Sequence, residues 1–181
     1  SANNGQTWEQ VKGYTEPPVG FHPSDEHQAV VFKNEMWVLN GNRNTANKSS
    51  DGITWENVGF AGNVNDGTHY SPRNQHQAVV FNGRLYVIGG LSGGIPQSDV
   101  WSTDGVPDGN GLITWERNVE NAAFSPRYSH QVAVFNGRMY LVAGLTNGAT
   151  RTNDVWSSAD GVNWSLVTTN APFTDRSEHV L

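Results

Sequence analysis

His27-Gln28-Ala29-Val30-Val31-Phe32 recurs as His76-Gln77-Ala78-Val79-Val80-Phe81 and again as His130-Gln131-Val132-Ala133-Val134-Phe135, and a fourth copy opens at His179-Val180-Leu181. The copies stand roughly 50 residues apart, a period that marks one supersecondary unit copied along the chain, each copy burying its apolar face on its neighbour.

The second copy shows what one unit builds. The β-branched run ending at Phe81 is followed by Asn82-Gly83 and then by Arg84-Leu85-Tyr86-Val87-Ile88. Two such runs around Asn-Gly read as a hairpin with a type I′ turn, which needs positive φ at both central residues. Asn136-Gly137 repeats the turn, and Lys33-Asn34 holds the same place with poorer turn residues. The second strand ends at Gly89-Gly90, with Ala143-Gly144 and Asn40-Gly41 as counterparts. Glycine there permits unusual φ or close approach of another backbone. A third strand follows in Ser98-Asp99-Val100-Trp101-Ser102 and Asn153-Asp154-Val155-Trp156-Ser157. The fourth is marked by a tryptophan beyond an Asp-Gly turn: Trp55 after Asp51-Gly52, Trp164 after Asp160-Gly161, and Trp115 after a longer turn from Asp104. Strand-sized runs alternate with Gly, Asn, Asp and Pro clusters, and no stretch keeps a helical period. Each repeat is thus four short antiparallel strands, a to d, which at this length is the pattern of a β-propeller blade.

At this point the chain resembles the kelch family of propellers. The resemblance rests on Arg-x-x-His before strand a (Arg73 to His76, Arg127 to His130, Arg176 to His179), on the Asn-Gly-Arg-hydrophobic-Tyr hairpin, on Gly89-Gly90 and on the spaced Trp115 and Trp164. Asp-Val-Trp-Ser followed by Asp-Gly and a tryptophan looks most like the bacterial kelch-like variety. The first copy departs from it: Ser24 replaces the arginine, and its strand c is reduced to about Thr45-Ala46-Asn47-Lys48. The Asp-Gly turn is loosely similar to the Asp-box of sialidase propellers, a structural turn.

The expected fold is all-β: an incomplete ring with a strand d remnant at 6–11, blades at 27–58, 76–118 and 130–167, and the start of another at 176–181. Closed propellers have about four to eight blades. The chain is therefore read as a piece of a longer propeller, or as one that closes a ring by pairing with further copies.

The 181 residues carry a net charge of −6 with no basic cluster, which argues against a nucleic-acid surface. No apolar run is long enough to span a membrane. Cysteine is absent, excluding disulfides, thiolate metal sites and the copper-radical chemistry of galactose oxidase-type kelch enzymes. Scarce lysine and abundant Asn, Gly, Thr and Ser lean toward an extracellular or periplasmic protein.

His27, His76, His130 and His179 each open a strand a. They are about a blade width apart, too far to share one metal ion. Their imidazoles are expected to bond backbone groups of adjacent loops. No catalytic residue, metal or cofactor is expected. In a kelch-like propeller the d–a and b–c loops share one face. Arg73, Arg127 and Arg176 offer forks suited to carboxylates. Because they repeat with the fold, they are read first as ties between loop and blade and second as ligand-binding. Residues on that face that differ between copies are the candidates for specificity: Glu26, Tyr70, Asn74 and Tyr128 in the d–a loops, and Arg43, Asn44, Gln97, Asn147 and Arg151 in the b–c loops. Such residues suit a protein or glycan partner. The functional expectation is a non-catalytic interaction module; the alternative, from the resemblance, is part of a sugar-active enzyme similar to kelch-type sialic acid mutarotases.

Overall fold

The computed structural model describes residues 26–39, 41, 45–59 and 69–180. The strand expected at 6–11 lies outside them, as do Arg43, Asn44 and Leu181. The first sheet contains β1 (Gln28–Phe32), β2 (Glu35–Leu39), β3 (Ala46–Ser49) and β4 (Glu56–Asn57), in that order. The second contains β5 (Gln77–Phe81), β6 (Arg84–Ile88), β9 (Val100–Thr103) and β10 (Glu116–Val119). Between β6 and β9 a small hairpin, β7 (Leu91–Ser92) with β8 (Ile95–Pro96), forms on its own. The third contains β11 (Gln131–Phe135), β12 (Arg138–Leu145), β13 (Arg151–Ser158) and β14 (Trp164–Thr168). All pairings are antiparallel. The first strands of successive sheets lie side by side, β1 by β5 and β5 by β11, so the sheets radiate from their strands a as propeller blades do.

The local chemistry explains the hairpins. Asn82 and Gly83 take φ of 47° and 74°, Asn136 and Gly137 47° and 70°, and Lys33 and Asn34 52° and 61°. All three are two-residue turns, closing Phe81 on Arg84, Phe135 on Arg138 and Phe32 on Glu35. The I′ geometry matches the right-handed twist of the flanking strands, so even Lys33-Asn34 is drawn into it.

Alternation along each strand sends one set of side chains to each neighbouring sheet. Phe32, Trp37 and Leu39 face Leu85, Val87, Trp101 and Trp115 across the first interface. Phe81, Tyr86 and Ile88 face Val132, Met139, Leu141 and Trp164 across the second. Each large side chain so buried contributes about 1.5–3 kcal/mol of hydrophobic free energy. The third sheet repeats the same face: Phe135 and Tyr140 stand 6.4 Å apart at 57°, the geometry of Phe81 and Tyr86. Phe135 is nevertheless 65% exposed, against 4% for Phe81 and 2% for Phe32.

The Asp-Gly turns between strands c and d key neighbouring sheets together. Asp160 Oδ1 accepts from the backbone N–H of Val162 and Asn163, Ser158 Oγ accepts from Gly161 N–H, and the Trp164 indole donates to the Gly161 carbonyl. Ser49, Asp51, Gly52 and Trp55 repeat the arrangement. A Cβ on Gly161 would lie 2.5 Å from Cε1 of Tyr86, and one on Gly105 would lie 2.5 Å from Cε1 of Phe32. The turn glycine of one sheet thus seats an aromatic ring of the sheet before it. The longer turn of the second sheet holds an insertion hairpin, bridged at Pro107 and Ile113 and capped by Asp108.

Candidate functional site

The d–a loops reach the b–c loops directly. Asn74 exchanges backbone bonds with Leu91 and Tyr128 with Leu145, while the Arg127 N–H donates to the Gln97 carbonyl and the Arg176 N–H to that of Thr152. These bonds put both loop sets on one face, where the resemblance expected them. At the far ends of the strands lie the a–b and c–d turns.

Arg73 and Arg127 are the most buried charges among the described residues, at 1% and 0% exposure. Arg73 Nη1 and Nη2 donate to Asp99 Oδ1 (2.5 Å) and Oδ2 (2.9 Å). The remaining N–H groups go to the Gly89 carbonyl, the Ser71 carbonyl and Ser71 Oγ. Arg127 repeats every bond with Asp154, Ala143 and Ser125. All five guanidinium donors are used in each case. Trp101 and Trp156 each add an indole N–H to the same aspartate, 2.7 Å away. Burial would raise the Asp154 carboxyl, but the bonds from Arg127 and Trp156 outweigh it and hold it below its ordinary value. The tie therefore stays ionic. These arginines fasten the loop entering a sheet to that sheet's own third strand. Their placement corrects the ligand-binding reading of both residues, because no donor is left for a surface ligand. Tyr70 is corrected likewise: it is fully buried and packs edge-on to Trp115.

Arg176 differs. Its Nε donates to the Thr174 carbonyl and its guanidinium lies 4.6 Å from the Phe173 ring, as in the other copies, but among the described residues no carboxylate meets its fork. Its backbone is pinned to Thr152 and Gly144.

A row missing from the sequence candidates runs along the inner edge of this face. Glu26, Gln75, Ser129 and Glu178 directly precede the four histidines and have φ of 56°, 52°, 52° and 56°. Left-handed backbone costs a non-glycine residue about 1–2 kcal/mol. The row is linked across sheet boundaries: Ser129 N–H donates to the Gln75 carbonyl, and Glu178 N–H to that of Ser129. Gln75 Nε2 donates to Glu26, and Ser129 Oγ to Gln75 Oε1. Glu26 alone was foreseen. The available signal was the residue before His in each Arg-x-x-His, where the side chain changes from copy to copy.

The histidines correct a second expectation. His76 and His130 are fully buried, but their ring nitrogens find no partner in hydrogen-bonding geometry. Burial dominates and pushes both down to about 3; the charges of Arg73 and Arg127 add to this, while backbone groups of Arg73 and Ile88 pull weakly the other way. They are neutral packing groups. The glycine pair accommodates them: a Cβ on Gly90 would sit 2.7 Å from His76 Cβ, and one on Gly144 2.7 Å from His130 Cβ. Among the described residues no group of three His, Cys, Asp or Glu side chains is placed to hold a metal ion. Among the described residues no helix is long and apolar enough to cross a membrane.

Of the other candidates, Glu26, Asn147 and Arg151 are exposed, and Asn74, Gln97 and Tyr128 are half-buried. They are spread over three sheets and converge on no single point. The b–c turns are exposed tips, one ending in Ile95 at 65% exposure, the other in the short 3-10 turn Asn147–Ala149.

A family model described as the KLHDC2/KLHL20/DRC7 Kelch-repeats domain matches residues 3–181. No curated protein matches the chain.

Proposed function

The chain belongs to the kelch-repeat family of β-propeller interaction modules, and from that premise we propose that it works without catalysis, by seating a partner protein on the face formed by its d–a and b–c loops. The observation that carries this reading is the row Glu26, Gln75, Ser129 and Glu178. The fold holds four residues in one strained conformation but puts a different side chain at three successive positions. A requirement of folding alone is met at lowest cost by glycine or asparagine. Glu26 and Glu178 are exposed and Gln75 half-buried, and strained, unlike and polar side chains at equivalent places suit recognition better than packing; Ser129 is buried and serves the row by holding Gln75. Around the row stand Asn74, Tyr128 and the exposed tips at Ile95 and Asn147, which supply both polar and apolar contacts. The low lysine content and the abundance of Asn, Gly, Thr and Ser fit work outside the cytoplasm.

The test uses the purified chain as immobilised bait. Proteins retained by the native chain are compared with those retained by the triple variant Gln75→Ala, Ser129→Ala, Glu178→Ala, and by Asn136→Asp on the opposite face. The reading expects capture to be lost in the first variant and kept in the second. Capture that ignores the loop face but fails with Asn136→Asp would place the partner elsewhere.

A further inference from the structure

The third sheet carries a pocket of about 340 Å³ lined by Arg151, Asp154, Trp156, Leu166, Thr169 and Asp175, among others. Its counterpart in the second sheet is already filled. There Trp101 pairs in register with Arg117, whose guanidinium lies 5.6 Å from the indole centre. Arg117 in turn donates to Glu120 at 3.3 Å. A cation is thus held between an indole and a carboxylate, and Trp101 is only 4% exposed.

In the third sheet Trp156 pairs in register with Leu166, and Thr169 stands three residues on, where the second sheet has Glu120. Both members of the built-in ion pair are therefore gone, and the Trp156 indole is less covered than Trp101. A carboxylate returns from another direction. Asp175 precedes Arg176 where Pro126 precedes Arg127, and it lines the pocket with no ion pair among the described residues. Asp154 is also in the lining, its charge already matched by Arg127.

We infer that this pocket receives a cationic side chain, an arginine or lysine of a partner protein, laid on the Trp156 indole and against the Asp175 carboxylate. The inference rests on the proposed use of the loop face, onto which the b–c turn at Arg151 and the d–a loop at Asp175 open. Indole faces attract cations within about 6 Å of the ring centre, and guanidinium most often. Arg151 lines the same pocket and opposes the incoming charge, so it sets a limit on affinity.

The experiment titrates N-acetyl-arginine methylamide into the full chain and follows the Trp156 indole N–H signal, assigned with Trp156→Phe. A saturable shift is expected, with none from N-acetyl-alanine methylamide. Leu166→Arg rebuilds the arrangement of the second sheet and should weaken binding about tenfold or more by filling the site from within. Asp175→Asn should weaken it about threefold and Arg151→Ala tighten it about twofold, the range of screened surface charge pairs. The remaining indole signals report that each variant is folded. Absence of a saturable Trp156 shift overturns the inference, as does undiminished binding by Leu166→Arg. Weaker binding by Arg151→Ala also overturns it. Failure here with partner capture still sensitive to Gln75, Ser129 and Glu178 removes this pocket alone and leaves the loop-face reading standing.

Discussion

Arg73 grips Asp99 through both carboxylate oxygens across 26 residues of sequence, and the pair stands inside the molecule with the arginine at 1% and the aspartate at 12% side-chain exposure. The Arg127–Asp154 pair copies it. The two units do the same work: each arginine reaches from the loop entering a sheet to that sheet's third strand, and its fifth donor fixes a backbone carbonyl of strand b or its end, that of Gly89 just after β6 and that of Ala143 within β12.

Breaking one such pair leaves a buried charge without its partner, which costs about 3–5 kcal/mol. Asp99→Ala and Asp154→Ala should both lower the unfolding free energy, read from urea denaturation, by amounts of that order. Arg176→Ala should change it by about 0.5 kcal/mol or less, since that fork meets no carboxylate among the described residues. Equal losses at Asp99 and Arg176 would show that the ion pair is not what stabilises the loop.

The pH dependence has a defined sign. His76 and His130 have folded values near 3, below the ordinary histidine value of 6.5, chiefly because burial disfavours their charged form. The unfolded chain therefore binds more protons between those limits. Their contribution to stability is fully present above about pH 6.5 and is lost as pH falls toward 3, at up to about 1.4 kcal/mol per pH unit for each histidine. Asp160 is also lowered, to about 2, mainly by the side-chain amide of Asn163, so its contribution is present above the usual carboxylate range and fades as pH falls toward 2. Urea midpoints between pH 4 and 7 should fall steadily with acidification. A flat profile from pH 7 to 5 would mean that the imidazoles are not buried neutral.

The hairpins and blades were legible because their signals are local. Asn82-Gly83 and Asn136-Gly137 encode a backbone twist in two residues, and Gly90 and Gly144 mark where His76 and His130 press closest. The arginine ties were half legible: Asp99-Val100-Trp101 was visible as a motif, but nothing in spacing joins Asp99 to Arg73. The β7–β8 hairpin was missed because two-residue strands around Gly93-Gly94 carry no periodicity. The row at Gln75, Ser129 and Glu178 was missed for a different reason. Left-handed backbone is read from glycine and asparagine, and here it is imposed on other residues by cross-sheet bonds.

Two turn glycines separate backbone strain from packing. Gly52 and Gly161 have φ of 77° and 79° in equivalent turns. Among the described residues, a Cβ on Gly52 would meet only the flexible Met36 Cε at 3.3 Å, whereas one on Gly161 meets the Tyr86 ring at 2.5 Å. Gly52→Ala should cost about 1–2 kcal/mol for the left-handed conformation. Gly161→Ala should cost about 1–3 kcal/mol more, because the second and third sheets must part to admit the methyl group. Calorimetric unfolding of the two variants measures the difference. Equal costs would mean that the third sheet does not seat Tyr86 in its turn.

The hairpin at Lys33-Asn34 offers a gain instead of a loss. It adopts the same positive φ pair as Asn82-Gly83 but with a lysine, whose Cβ pays the full left-handed penalty, at the first position. Replacing Lys33-Asn34 by Asn-Gly keeps the register of Phe32 on Glu35 and relieves strain at both residues. Lys33 forms no ion pair among the described residues, but its ammonium lies 5.8 Å from the Phe32 ring, an exposed contact worth about 0.5–1 kcal/mol. The relief at two positions exceeds that loss, so the double substitution should stabilise the protein by about 0.5–2 kcal/mol. A raised urea midpoint with unchanged slope is the expected result. A lowered midpoint would show that the contact of Lys33 with Phe32, at the edge of the first interface, outweighs the turn geometry.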